Sequence, residues 1–468
     1  MNLNLTSQQT TALKMLDDFL EKPGSGVFIL KGYAGTGKTT LLQHWAMQLS
    51  KAEKKFVLLA PTGRAAVVLK SKTGLDSQTL HSELYHFSDI DGEPPETDKE
   101  LKTESYGQMR LLFSIRQPDE ENNMIYIVDE ASMVSDEPGD SSSYAHFGSG
   151  HLLSDLLQIV GTNKVIFSGD PCQLPPIEGE DSPALSEEWM KKQGKMVYKY
   201  ELSKILRQNE DSGILLLASK TRELALQARK LPQWVKLPAK GINQIAVIDY
   251  IRMKQLYIDS IISGEKNAIA ICHSNFNCSD INKSVRKKLF GSTDAELQLG
   301  DLLMVTQNNR LVPFTNGDFA EITNIGIESP YLGIKFIHVT IKSQLTGLEH
   351  EVLLCKEPLY NGQANLTTEQ QRMLMIDFSR RMRQKNIKLK STEYFQALQK
   401  DPYLNSLRAN FGYAITCHKS QGGEWDHVYL FLHKGMYVMG AETLTRWWYT
   451  GITRAKKQLF ITDGWWII

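Results

Sequence analysis

Gly32-Tyr33-Ala34-Gly35-Thr36-Gly37-Lys38-Thr39 follows the apolar run Val27, Phe28, Ile29, Leu30 and opens a helix-like stretch from Thr40. The order strand, glycine loop, helix aims successive backbone N–H groups and a helix N-terminus at one point, where a triphosphate fits. Gly32, Gly35, Thr36, Gly37, Lys38, Thr39 and Thr40 are the candidate phosphate-binding residues of this loop. The pattern specifies a ligand and a parallel α/β fold before anything else along the chain is read.

The remainder of the chain sets wider bounds. At 468 residues it has length for about three domains, and an apolar content of 41% supplies ordinary cores. Lys+Arg and Asp+Glu are each 53, so composition gives no support for a nucleic-acid partner, and any such partner must be argued from local patches. Five cysteines form no disulfide framework and fit a reduced, cytoplasmic setting. Cys272 and Cys278, with His273 between them, read as buried thiols rather than as a zinc site. The polar N-terminus lacks a signal core, and no stretch approaches the roughly 20 apolar residues of a membrane span, so a soluble protein without a membrane partner is expected.

Apolar runs alternating with helix-like segments fill residues 27–170, with Phe56–Ala60, Met124–Val128 and Val165–Ser168 as short buried strands. A second set, Ala268–Cys272, Tyr413–Cys417, Val428–Leu432 and Leu459–Thr462, predicts a second α/β domain. Ser88–Glu104 reads as a loop-rich excursion before Met109–Ile115, and Ser135–Gly150 as a mobile surface loop. Residues 299–410 contain strand-like text followed by a basic helical stretch, which predicts a small barrel with a helical extension. Between Arg372 and Lys390 stand seven basic residues against one acid, Asp377, a pattern that fits a solvated helix face or a nucleic-acid contact equally well.

The strand Ile125–Val128 runs into Asp129-Glu130-Ala131-Ser132. Two adjacent carboxylates at a strand end divide the work. Thr39 and Asp129 are the candidate Mg2+ ligands, and Glu130 is the candidate base for the attacking water. A further segment, Gly169-Asp170-Pro171-Cys172-Gln173-Leu174-Pro175-Pro176, follows the next strand.

With that segment the chain resembles superfamily 1 helicases, in the B branch that includes RecD-like and Dda-like enzymes. The resemblance implies that Gln173 senses the γ-phosphate. It extends along nearly the whole chain. Leu5-Thr6-Ser7-Gln8-Gln9 resembles the adenine-reading element, with Gln9 as its amide. Ala60-Pro61-Thr62-Gly63-Arg64-Ala65-Ala66 and Thr79-Leu80-His81-Ser82 resemble strand-gripping loops, with Pro61, Thr62 and His81 as contacts. Arg207, in Glu201-Leu202 through Arg207-Gln208, and Arg454, in Tyr449-Thr450-Gly451-Ile452-Thr453-Arg454-Ala455, resemble two arginine fingers. Thr416-Cys417-His418-Lys419-Ser420-Gln421-Gly422 is similar to the segment that holds single strands, with Thr416, His418, Lys419 and Ser420 as contacts.

The layout implied is two RecA-like parallel-sheet motor domains, residues 1–83 with 118–200 and residues 201–298 with 411–468. Residues 84–117 form a hairpin insertion in the first, and residues 299–410 an SH3-like β-barrel insertion with a basic helical extension in the second. Phe113 matches an aromatic that can stack on a base at a duplex junction, against the competing reading of a core phenylalanine. The activity implied is ATP- and Mg2+-dependent DNA unwinding, 5′-to-3′, by a monomer acting on single-stranded DNA and single-strand/double-strand junctions. DNA repair, recombination or replication proteins are the partners implied. An RNA or RNA/DNA translocase and a phosphate-loop ATPase switch without unwinding are the alternatives.

Overall fold

Six strands form the first sheet, in the spatial order Ser77–Thr79, Phe56–Ala60, Ile125–Val128, Lys164–Gly169, Gly26–Gly32 and Val197–Leu202, all neighbours parallel. The coordinates are a computed structural model that describes residues 5–91, 110–117, 123–139, 145–176, 179, 181–206, 212–292 and 296–468. Central strands of this sheet are apolar at nearly every position because both faces are covered. On one face lie the helices Ser7–Glu21 and Lys38–Lys51, joined by Phe19, Leu41, Leu42 and Trp45, with the Trp45 indole N–H donating to Asp17 at 2.9 Å. The strand Val197–Leu202 pairs with Gly26–Gly32, so the first unit extends past the expected boundary at residue 200.

The second sheet is also parallel, in the order Ile245–Ile248, Ala455–Thr462, Trp425–Leu430, Ala268–Cys272, Ala414–Thr416. Between its second and third strands in the chain lies an antiparallel sheet of Leu302–Val305, Phe319–Tyr331, Ile334–Ser343, Glu349–Cys355 and Ala409–Phe411. Its two edges meet where Cys355 N–H donates to the Leu407 carbonyl at 3.0 Å and Leu407 N–H to that of Leu353 at 2.7 Å, so the sheet curls back on itself.

A buried ion pair ties this insertion to its host. Arg286, on the helix Asn275–Phe290, donates Nε and Nη2 to Asp301 at 2.8 and 2.9 Å and stacks over Phe411 at 3.9 Å. Asp301 also accepts from the Gln298 N–H and the Tyr413 hydroxyl. Every partner is satisfied, the condition under which a buried pair is tolerated.

Two expected loops are ordered differently. The strand Tyr85–Asp91 stays paired as far as Asp91, with a bulge at Ser88, where a loop was expected, and its partner Arg110–Ile115 is antiparallel to it. The rest of the Ser88–Glu104 excursion lies outside the described residues. In the Ser135–Gly150 segment, Ala145–Phe147 adds a third strand, parallel to Arg110–Ile115. Asp136 accepts from Ser154 N–H and Oγ at 2.7 and 2.9 Å, and Asp155 accepts from Ser149 and Tyr85. A mobile surface loop was expected here; short polar side chains anchor its described residues on either side, and residues 140–144 of it lie outside the described residues.

The basic stretch 372–390 lies largely on the helix Thr368–Gln384, whose Met375, Ile376, Phe378 and Met382 join Ile90, Phe87 and Leu111 of the hairpin in one apolar cluster. Arg381 pairs with Asp377 and Asp401 at 2.8 and 2.7 Å. One face of this helix is therefore neither solvated nor open to a ligand.

Removing one partner of the Arg286–Asp301 pair leaves a buried unpaired charge. Asp301→Ala is expected to lower stability by about 3–5 kcal/mol, read as a fall in the urea midpoint of the second unit. Arg286→Met with Asp301→Leu should recover most of that loss. An unchanged midpoint in the single variant would show that the pair contributes nothing.

Candidate active site and strand-contact loops

Sheet order determines which loops meet. The strands ending at Val128, Gly169 and Gly32 are adjacent, so Asp129-Glu130, Asp170 and the glycine loop all leave the same edge. They line a cleft of about 420 Å3 whose opposite wall carries Gly422, Thr453 and Arg454 of the second unit.

Gly35 and Gly37 take positive φ, +76° each, and a Cβ on Gly37 would lie 2.6 Å from the Gln9 amide nitrogen, so only glycine fits there. Thr36 is buried, with its hydroxyl donating to the Tyr33 carbonyl at 2.7 Å, and Lys38 Nζ donates to the Gly32 carbonyl at 2.7 Å. Thr39 and Thr40 face the cleft. Thr36 and Gly32 therefore shape the loop rather than line the opening.

Asp129 is buried and accepts from the Ser168 hydroxyl at 3.0 Å. Burial raises its pKa, the neighbouring Glu130 charge adds to the rise, and Lys38 opposes it. Glu130 sits in the left-handed region at φ +51°, a strained conformation for a glutamate. Its Oε2 and the Oε1 of Gln173 are buried without a hydrogen-bond partner. Orphaned acceptors beside Lys38 and the Thr39 hydroxyl fit a site completed by a hydrated magnesium ion and a phosphate chain.

The two units are joined at this same edge. The Tyr449 hydroxyl accepts from Ala34 N–H of the glycine loop at 2.8 Å and donates to Asp170 at 2.7 Å. Thr450 Oγ1 accepts from Leu174 N–H at 2.9 Å, and Gln421 donates to the Leu174 carbonyl at 3.0 Å. Tyr33, Cys172 and Leu174 are buried in the same apolar cluster as Ile214, Leu217 and Trp448 of the second unit. Burial also raises the pKa of Asp170, against the opposing effects of Lys38 and of the Tyr449 hydrogen bond.

Arg454 lines the cleft, with Nε on the Thr450 carbonyl at 3.0 Å, Nη1 on that of Gly423 at 3.3 Å and Nη2 on the Thr453 hydroxyl at 3.1 Å. Arg207 lies outside the described residues. Gln9 was expected to present its amide to a base. Instead, its oxygen accepts from Thr6 N–H in a capping box and its nitrogen donates to the Thr36 carbonyl at 3.3 Å, so both ends are engaged within the protein.

Among the expected strand contacts, Thr62 and Thr416 each cap a helix N-terminus, accepting from Ala65 and Lys419 N–H, and Pro61 stands beside Thr62, partly exposed. Burial lowers the pKa of both His418 and Lys419. Ser420 is corrected: it is fully buried, and its hydroxyl donates to the Cys417 carbonyl at 2.7 Å. His81 packs edge-on to Phe147 at 5.1 Å, and burial lowers its pKa. Phe113 stacks on Phe147 at 4.6 Å and meets the Phe87 edge at 5.5 Å, with the Arg310 guanidinium 5.5 Å over its ring. Phe113 is thus partly buried at the margin of an aromatic cluster, and a base stacking on the ring face covered by Phe147 would have to displace it.

Cys272 and Cys278 are buried thiols, and no group of metal-ligating side chains occurs among the described residues. No helix among those residues is long and apolar enough to cross a membrane. Sequence reasoning assigned no role to Tyr449, Asp170, Tyr33 or Arg64, because each acts through a partner hundreds of residues away. The only local signal was their presence inside motifs read for other residues.

Residues 4–233 match the family described as AAA domain, and residues 411–462 the UvrD-like helicase C-terminal domain. The chain is 24% identical over 524 residues to an uncharacterized protein of Acanthamoeba polyphaga mimivirus, covering 97% of this chain and 98% of that protein. It is 24% identical over 472 residues to an uncharacterized protein of Methanocaldococcus jannaschii, and 22% over 469 residues to the ATP-dependent RecD2 DNA helicase of Deinococcus radiodurans. These alignments cover 93% and 97% of this chain but span only 36% and 48% of those two relatives. Among solved structures, Pif1 helicases at forked double-stranded DNA share the fold with a TM-score of 0.51 at 17% identity, covering 98% of this chain and 92% of that one. Bacteroides Pif1 bound to single-stranded DNA matches with a TM-score of 0.50 at 17% identity, over 99% and 93%. Two parallel-sheet units, the AAA domain match over the first and the UvrD-like helicase C-terminal match in the second identify the chain as a superfamily 1 helicase of the Pif1/RecD type.

Proposed function

We propose that the chain is an ATP-dependent DNA helicase that moves 5′-to-3′ along single-stranded DNA and unwinds duplex at a junction. The observation that supports it best is that one cleft edge carries the glycine loop, Asp129 and Glu130, while Tyr449 and Arg454 reach that edge from the other unit. Hydrolysis is thereby tied to the relative position of two domains, as a strand motor requires.

In this reading the backbone N–H groups of Gly35 and Gly37 and the Lys38 ammonium hold the phosphates, and Thr39 with Asp129 holds Mg2+. Bound there, the metal would supply positive charge to offset the charge that develops on the phosphates. Glu130 takes the proton of the attacking water, and its orphaned oxygen is the acceptor for it. Gln173 reports on the γ-phosphate, and Arg454 and Arg207 stabilise charge in the transition state when the cleft closes. To bind adenine, Gln9 exchanges its Thr36 contact for the base.

Pro61, Thr62, His81, Thr416, His418 and Lys419 form the phosphate-contacting track, which fixes position without reading sequence. The hairpin built from residues 84–117 splits the duplex. The curled sheet within residues 299–410 is assigned as the SH3-like insertion, and its helix Thr368–Gln384 braces the hairpin.

Three outcomes follow. Lys38→Ala should abolish hydrolysis and weaken nucleotide binding, checked by phosphate release and by titration of a fluorescent ATP analogue; retained turnover refutes the assignment of the loop. Glu130→Gln should keep ATP and strand binding yet lower kcat by about 100-fold or more, because only the base is lost. On forked substrates with a single tail, unwinding should require a 5′ tail and ATP hydrolysis should rise with single-stranded DNA. Flat hydrolysis would leave an ATPase switch, and preference for an RNA duplex of matched overhang an RNA translocase.

A further inference from the structure

Arg64 belongs to the first unit, in the helix Gly63–Thr73, yet its side chain is enclosed by the second. The guanidinium lies 4.7 Å from the Trp425 ring and 4.9 Å from that of Phe319, and Nη1 donates to the Gly317 carbonyl at 3.2 Å. Its Nε is buried without a partner.

The fit admits no slack. A Cβ on Gly63 would stand 2.0 Å from the Thr315 hydroxyl, and one on Gly423 2.5 Å from the Trp425 ring and 2.9 Å from Arg64 Nε. Burial draws the guanidinium down to about 10, with Asp318 opposing and the Arg454 charge adding, so it remains a cation at neutral pH. Trp425 and Phe319 stand nearly perpendicular with centroids 6.4 Å apart, and a buried cation in the corner they form is held while both walls are present.

The walls of this socket also hold Arg454. Trp425 N–H donates to the Arg454 carbonyl at 2.9 Å, and Arg454 Nη1 donates to the carbonyl of Gly423. Arg64 thus adjoins two of the residues that hold Arg454, Trp425 at its carbonyl and Gly423 at one guanidinium nitrogen, alongside the Thr450 and Thr453 contacts.

We propose that Arg64 is the positioning residue that transmits closure of the two units to Arg454: seated between Trp425 and Phe319, it fixes the Gly423–Trp425 segment and sets Arg454 at the cleft. This rests on Arg454 acting as a finger. Opening the cleft withdraws Arg64 from the socket, and the segment that holds Arg454 is then released.

Strand-stimulated hydrolysis by Arg64→Ala, Arg454→Ala and the double variant tests this, together with Kd for a fluorescent ATP analogue and for a single-stranded oligonucleotide. Arg64→Ala should lose about tenfold or more in kcat while both Kd values move less than about threefold, and the double variant should turn over no more slowly than Arg454→Ala. Wild-type kcat in Arg64→Ala, or losses that multiply in the double variant, would overturn the proposal while the finger reading stands. Normal turnover in Arg454→Ala would overturn both. Should alanine at position 64 prevent folding, Phe319→Leu removes one wall with Arg64 in place and carries the same expectation and the same failure.

Discussion

One hydroxyl holds the geometry of the cleft together. Tyr449 receives the Ala34 N–H and gives its own proton to Asp170, so a side chain of the second unit is bonded to the first turn of the glycine loop and to the neighbouring strand end. Phenylalanine in its place would leave a buried carboxylate short of a donor, and such a group is costly because the low-dielectric interior gives it no water in exchange. The contact lies within a largely apolar joint, where Tyr33 and Leu174 are buried against the second unit. Non-directional apolar contact brings the units together, and the hydroxyl selects the relative position in which Arg454 stands at the cleft.

The sheet order explains why so few residues suffice. Because the strands before Asp129 and Asp170 lie side by side next to the strand that feeds the glycine loop, the groups that line the cleft need no long excursions to meet. Glu130 is the exception. It is held at positive φ with an unsatisfied oxygen, and that local strain is supported by the packed strand before it.

What could be read from the sequence was what is local. The glycine loop, the acidic pair and the short apolar strands announce themselves within ten residues, and each of these strands appears within a few residues of its expected ends. Residues whose role depends on distant packing were misread or unassigned. Ser420 looks like a hydroxyl donor for phosphate, but its own helical turn folds it inward. For Phe113 the sequence left base stacking and core packing open, and the ring's neighbour Phe147 comes from Ala145–Phe147, a strand hidden in a polar Ser- and Gly-rich stretch. Nothing near Arg64 in sequence points to Trp425 or Phe319.

The basic helix shows how a charge run with an exposed face at Arg380, Arg383 and Lys385 also hides a packed one. Charge runs are read as solvated or ligand-binding because lysine and arginine seldom bury, yet their stems and the residues between them do. On Thr368–Gln384 the positions Met375, Phe378 and Met382 recur at helical spacing and turn inward, while Arg381 is neutralised by Asp377 and Asp401. Phe395, on the next helix, meets Phe87 edge-on at 4.9 Å, so the second unit's insertion grips the first unit's hairpin through apolar side chains. A hairpin held only by its own two strands is marginal in water. Joined to a third strand and to this helical pair, it is held more stiffly than its own two strands would hold it, and the same contact ties it to the second unit.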